Sequence, residues 1–265
     1  MTNSAKGSAN FRVPVLSNAE DLINSVDTFI FDCDGVIWKG ETLIDGVPET
    51  LDMLRSRGKS LVFMTNNSTK SRKQYRKKFE ALGLTVQEVY VIGGEGILQE
   101  LELCGIKGIG GPVGAVVVGF DQFINFYKIQ YGTLCIRENP GCLFIATNCD
   151  AVGHFTDAQE WAGGGSMVGA IKGSTQKEPL VLGKPSTFMM DHVSKKFETD
   201  KSKICMVGDR LDTDILFGIN SGCKTLLVLS GVTTLSMLQS PENDIQPDFY
   251  TEKVSNLLTQ NDTDV

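Results

Sequence analysis

Thr28-Phe29-Ile30-Phe31-Asp32-Cys33-Asp34-Gly35 is the stretch on which the reading of this chain turns. A β-branched and aromatic run leads straight into two aspartates and a glycine. The run lacks polar alternation, as a strand buried on both faces of a parallel sheet does, and the aspartates fall where such a strand must end. Working outward, Ser60–Met64, Val89–Ile92, Ala115–Val118, Leu143–Ala146, Ile204–Val207 and Thr225–Leu229 read as further strands. Gly46–Arg57, Ser68–Ala81 and Leu211–Ser221 read as helices with a glycine close behind each. Strand followed by helix, repeated, means βαβ units and an α/β doubly wound parallel sheet of Rossmann-like type.

In open sheets of this kind ligands lie outside the carboxyl ends of the strands, so the residues at those ends are the candidate site. The first strand delivers Asp32 and Asp34, Ser60–Met64 delivers Thr65-Asn66-Asn67, and Ile204–Val207 delivers Gly208-Asp209. These residue types suit hydrolysis of a phosphate ester. A carboxylate repelled by a phosphate dianion can reach it when Mg²⁺ binds oxygens of both. Asp32 is then the candidate nucleophile. Asp34, two residues on, is the candidate proton donor and acceptor. Asp209 completes the metal shell, Asp214 supports it from behind, and Asp212 is a lesser alternative. Thr65 and Asn66 offer a hydroxyl and an amide to the phosphoryl group ahead of a helix N-terminus, which favours anions. Lys184, in Gly183-Lys184-Pro185-Ser186, supplies fixed positive charge.

Each element alone is commonplace. Asp-x-Asp-Gly is more often a turn or a calcium loop, Thr-Asn-Asn a helix cap, a lysine before proline a solvated side chain, and Gly-Asp a turn. Their order and spacing together carry the argument.

The bulk properties narrow the partners. Across 265 residues, 41% hydrophobic and 22% charged residues are an ordinary globular composition. A net charge of −7 and a pI near 5.0 argue against nucleic acid and anionic membrane as partners, and no apolar run reaches bilayer length. The expected partner is a small phosphorylated metabolite. Seven cysteines without a CxxC pair read as free thiols in a reducing compartment. With neither a signal nor a transit peptide read in Met1–Val26, the cytoplasm is the expected location. The polar tail from Leu258 reads as frayed.

Phe31–Trp38, Thr65–Ser68, Gly183–Ser186 and Gly208–Asp214 resemble the four signature stretches of the haloacid dehalogenase superfamily. The likeness is to its phosphoglycolate and 4-nitrophenylphosphatase branch and spans about Ile23 to Leu257. It implies hydrolysis of 2-phosphoglycolate to glycolate, a photorespiratory salvage step, through an aspartyl-phosphate. It also implies metal ligation by the side chains of Asp32 and Asp209 and the backbone carbonyl of Asp34.

The same resemblance implies a catalytic core over residues 1–88 and 183–265, with an inserted α/β cap over 89–182 and a cap-mediated homodimer. The glycine-rich Ala162–Val168 occupies the place of a cap loop, with Gly165, Ser166 and Met167 toward substrate; a hairpin turn is the alternative. Trp38 reads as packing, Trp161 as a cap wall and His154 as a structural histidine. Relative to the branch, segments are missing between Glu88 and Val89 and between Pro112 and Val113. The expectation is a shortened form with weakened core packing. Other readings are a different ester (pyridoxal phosphate or glycerol phosphate), a receiver-like signalling domain, and an inactive shortened form.

Overall fold

The computed structural model describes residues 13–67, 89–91, 97, 99, 113–153 and 161–258. The helix expected over Ser68–Ala81, together with His154 and Cys104, lies outside them. The described strands are β1 (Thr28–Phe31), β2 (Trp38–Lys39), β3 (Thr42–Leu43), β4 (Ser60–Thr65), β5 (Val89–Val91), β6 (Ala115–Val118), β7 (Leu143–Ala146), β8 (Val152–Gly153), β9 (Trp161–Ala162), β10 (Leu180–Val181), β11 (Ile204–Gly208), β12 (Lys224–Val228) and β13 (Phe249–Thr251). The chain forms two compact units. One is Met1–Lys39, Leu43–Leu61 and Thr199–Val265; the other is Gly40–Thr42 and Val62–Glu198.

In the first unit the strands run β13-β12-β11-β1, all parallel. Every residue of β1 and β11 is buried, as the uninterrupted apolar runs require. Thr28 pairs with Ile204 and Phe31 with Val207, and the Asp32 N–H donates to Val207 O at 2.9 Å. The two strands therefore end within one residue of each other, and Asp32 and Asp209 leave the sheet on the same side. Helix Val47–Ser56 forms as expected, starting from Gly46 in the left-handed region at φ 78° with Pro48 in its first turn. It buries Val47, Leu51, Met53 and Leu54 and stops ahead of Gly58. The expected helix Leu211–Ser221 is in fact two pieces. A wide π-helical turn over Leu211–Ile215 precedes the α-helix Leu216–Ser221.

In the second unit β4 pairs in parallel with β5, Phe63 opposite Val89 and Thr65 opposite Val91. The strand assigned by sequence to the start of the cap thus lies beside the strand carrying Thr65. The connection from Asn66 to Glu88 has the length that a parallel crossover needs. A separate parallel sheet runs β10-β7-β6. Its own core joins Val118, Phe144 and Ala146 to Met167, Val168 and Ile171 of helix Gly164–Thr175 and Ile136 of helix Phe126–Glu138.

The fold is therefore α/β with a parallel core sheet and a second, smaller parallel sheet.

Candidate active site

Asp32, Asp209 and Asp214 are all buried, and one carboxylate oxygen from each lies within 4.8 Å of the others. Three carboxylates this close, out of water, repel one another unless a cation or proton intervenes. All-oxygen donors suit a hard divalent ion. The backbone leaves room for them. A Cβ on Gly35, at φ +84°, would stand 2.5 Å from Asp209 Oδ2, and a Cβ on Gly231 would collide with the same carboxylate. A Cβ on Gly208 would collide with Asp214. Donor chemistry and glycine clearance both fit a divalent metal.

Asp209 is fixed from several sides. Its Oδ2 accepts the Val232 N–H at 2.7 Å, and its backbone carbonyl accepts the Thr233 N–H at 3.0 Å. Asp214 Oδ2 accepts the N–H groups of Asp209 and Arg210, each at 3.1 Å. The π-helical turn creates this reach, because both Asp214 and Ile215 donate to the one carbonyl of Arg210. Asp212 instead faces solvent, paired with Arg210 at 2.9 Å and 3.1 Å.

Asp34 directs its carboxylate to the indole of the fully buried Trp38, whose Nε1–H donates to Oδ1 at 2.8 Å. Its backbone lies in a turn closed by Ile37 N–H and Trp38 N–H on Cys33 O, at 2.9 and 3.2 Å.

The second unit carries the other expected residues. Thr65 and Asn66, at the end of β4, are buried, and Thr65 Oγ1 accepts the Asn67 N–H at 3.0 Å. Asn66 reads differently from expectation. Its Oδ1 accepts the Lys184 N–H, and its Nδ2 donates to the Lys184 carbonyl, both at 3.0 Å. The second Nδ2 hydrogen points at the Asp150 carboxylate, 3.3 and 3.4 Å away. Asn148 Nδ2 donates to the Asn66 carbonyl at 2.9 Å. The amide read as a phosphoryl contact is thus spent on the backbone of Lys184. Lys184 is 2% exposed and its Nζ donates to Met64 O at 3.1 Å. The Lys184 ammonium is thus held inside the protein, tied to the backbone at the end of β4.

The glycine-rich stretch is neither a loop nor a hairpin turn from Gly164 onward. It opens the helix Gly164–Thr175, with Gly163 at its N-cap. The Gly163 N–H donates to Ala151 O and the Gly165 N–H to Asp150 O, both at 2.9 Å. Ser166 is exposed, Gly165 is half-buried, and Met167 packs into the apolar core of the small sheet.

Sequence reasoning missed the segment after β12. Ser230 Oγ donates to Gly35 O at 2.6 Å, while Gly231, Val232 and Thr233 close over Asp209. The rule that located the other residues, reading past the end of each buried strand, points to this loop as well.

A haloacid dehalogenase-like hydrolase profile matches residues 29–88, and a second, HAD-hydrolase-like profile matches residues 181–257. The chain is 66% identical to phosphoglycolate phosphatase 1A, chloroplastic, of Arabidopsis thaliana, over 92% of this chain and 80% of that protein. It is 57% identical to phosphoglycolate phosphatase 2 of the same plant, over 91% and 95%. The solved 4-nitrophenylphosphatase of Thermotoga maritima superposes with a TM-score of 0.81 at 28% identity, over 89% of this chain and 97% of that one.

The chain belongs to the haloacid dehalogenase-like hydrolase family. Within that family it is a phosphatase, similar over nine-tenths of its length to plant phosphoglycolate phosphatases; a receiver-like switch is set aside. The first alignment is 288 positions long against 265 residues here, so the relative carries residues with no counterpart in this chain. Among the described residues no helix is long and apolar enough to cross a membrane.

Proposed function

We propose that the chain hydrolyses 2-phosphoglycolate to glycolate and phosphate through a phosphorylated Asp32. The observation carrying this reading is the buried Asp32–Asp209–Asp214 cluster at neighbouring strand ends, in a chain 66% identical to a phosphoglycolate phosphatase. Asp32 and Asp209, with the Asp34 carbonyl, hold Mg²⁺. When bound, that ion supplies the positive charge that lets a carboxylate approach a phosphate dianion.

The remaining roles fall to the protein's own groups. Asp32 attacks phosphorus. Asp34 gives a proton to the departing alkoxide and later takes one from the attacking water. Thr65 and Lys184 hold phosphoryl oxygens, with Asn66 setting the Lys184 backbone. Residues 1–88 and 183–265 act as core, and residues 89–182 act as a cap whose Gly165 and Ser166 face substrate, with Met167 anchoring the helix behind them.

A phosphate-release screen with and without Mg²⁺ tests this. The expected result is a kcat/KM for 2-phosphoglycolate at least about a hundredfold above glycerol phosphate and pyridoxal phosphate, lost with chelator. Equal turnover of all esters overturns the assigned substrate.

A further inference from the structure

We infer that Trp38 is a positioning residue for proton transfer by Asp34; this rests on the role given to Asp34 above. Trp38 is fully buried, and its single polar atom donates to Asp34 Oδ1 at 2.8 Å. The backbone builds the same pairing. Asp34 and Trp38 form a parallel bridge, and the Gly35 N–H donates to the Trp38 carbonyl at 2.7 Å. Gly35 reaches this bond only through its left-handed conformation at φ 84°.

Two physical consequences follow. The terminal torsion of an aspartate is broad, so a lone carboxylate beside a turn samples many orientations. A rigid indole, locked on every side, removes that freedom and holds the group in one attitude. The indole N–H is also a donor only, so it never competes for the transferred proton.

The plainer account is a core tryptophan whose N–H takes a nearby acceptor. That account needs only the bulk of the ring. The two accounts differ in what happens when the N–H is removed and the bulk is kept.

The test compares wild type, Trp38→Phe, Asp34→Asn and the double variant on 2-phosphoglycolate and 4-nitrophenyl phosphate. The nitrophenolate leaves without help from an acid; the alkoxide does not. Trp38→Phe should lower kcat/KM on the alkyl ester about tenfold, a fraction of a full acid–base contribution, and on the nitrophenyl ester less than about twofold. In the Asp34→Asn background Trp38→Phe should cost nothing further, since one group acts through the other. Equal losses on both esters, an undiminished loss in the Asp34→Asn background, or no loss at all overturns the inference. Failure of the Asp34 role is a separate outcome, in which Asp34→Asn alone turns over the alkyl ester like wild type. If Trp38→Phe does not fold, benzothienylalanine placed at 38 keeps the ring shape without the N–H and must show the same ester dependence.

Discussion

Asp214 Oδ2 accepts the backbone N–H groups of both Asp209 and Arg210 at 3.1 Å, so a carboxylate five residues downstream sets how Asp209 leaves the end of its strand. The π-helical turn between them brings Asp214 back under the strand end; a regular α-helix would carry it elsewhere. Asp214→Asn keeps an acceptor but removes a charge from the cluster. Magnesium affinity should fall about tenfold to a hundredfold, as for other groups that orient metal ligands. Calorimetric titration with Mg²⁺ checks this without relying on turnover.

Asp32→Asn changes volume almost not at all and removes the attacking oxygen. Turnover should vanish and no acid-stable phosphoprotein should form from ³²P-labelled substrate, while the melting temperature stays close to wild type. Residual activity near wild type would refute the nucleophile.

Asn66 clamps both backbone groups of Lys184, at 3.0 Å each. Asn66→Ala loses both bonds and leaves two buried polar groups without this partner, at a cost of about 1–3 kcal/mol for each unsatisfied group. The expected result is a kcat/KM about tenfold to a hundredfold lower, with a lowered melting temperature. Asn66→Asp should be worse, because it sets a carboxylate against the Lys184 carbonyl and the carboxylate of Asp150.

Glycine clearance gives a steric prediction. Gly231→Ala places a methyl on the Asp209 carboxylate and should abolish metal binding, whereas Gly114→Ala meets nothing within 4 Å and should leave it unchanged. Metal titration of both variants, side by side, separates a local clash from general fragility.

Burial pushes the Cys223 thiol up from 9.0 to about 12, and burial likewise raises Cys205. The folded state therefore favours the neutral thiols. Their contribution is whole below the unfolded value near 9 and is lost as pH rises toward the folded value. Thermal stability should decline across that alkaline window, and Cys223→Ala should make the decline shallower. Neither thiol should react with iodoacetamide in the native protein at neutral pH.

Several features were legible because one residue type had one physical consequence. The apolar runs at Thr28–Phe31, Ala115–Val118 and Leu143–Ala146 became strands with the bounds expected. Glycines behind Arg57 and Ser221 marked real helix ends. The convergence of Asp32 and Asp209 was legible because neighbouring strands of a parallel sheet end on the same side.

What escaped depended on contacts distant in sequence. Gly163–Gly165 read as a loop because glycine disfavours helices. In the fold a Cβ on Gly165 would strike the Cys149 carbonyl and one on Gly163 the Asp150 carbonyl, so close backbone approach at the helix start requires glycine. The clamp of Asn66 on the Lys184 backbone was not legible because the two lie 118 residues apart. Trp38 read as packing, as its full burial bears out, but composition does not reveal that its indole nitrogen donates to Asp34.

The neighbouring ends of β1 and β11 bear on tolerance to change in chain length. All three carboxylates, their glycine clearances and the loop that closes over Asp209 come from residues 28–35 and 204–233, inside a single compact unit. Slipping either strand by one residue would turn its aspartate to the opposite face of the sheet. Lengthening or trimming the connections beyond those two stretches should therefore leave the aspartates aligned. The placement of the three aspartates thus rests on two stretches of one unit.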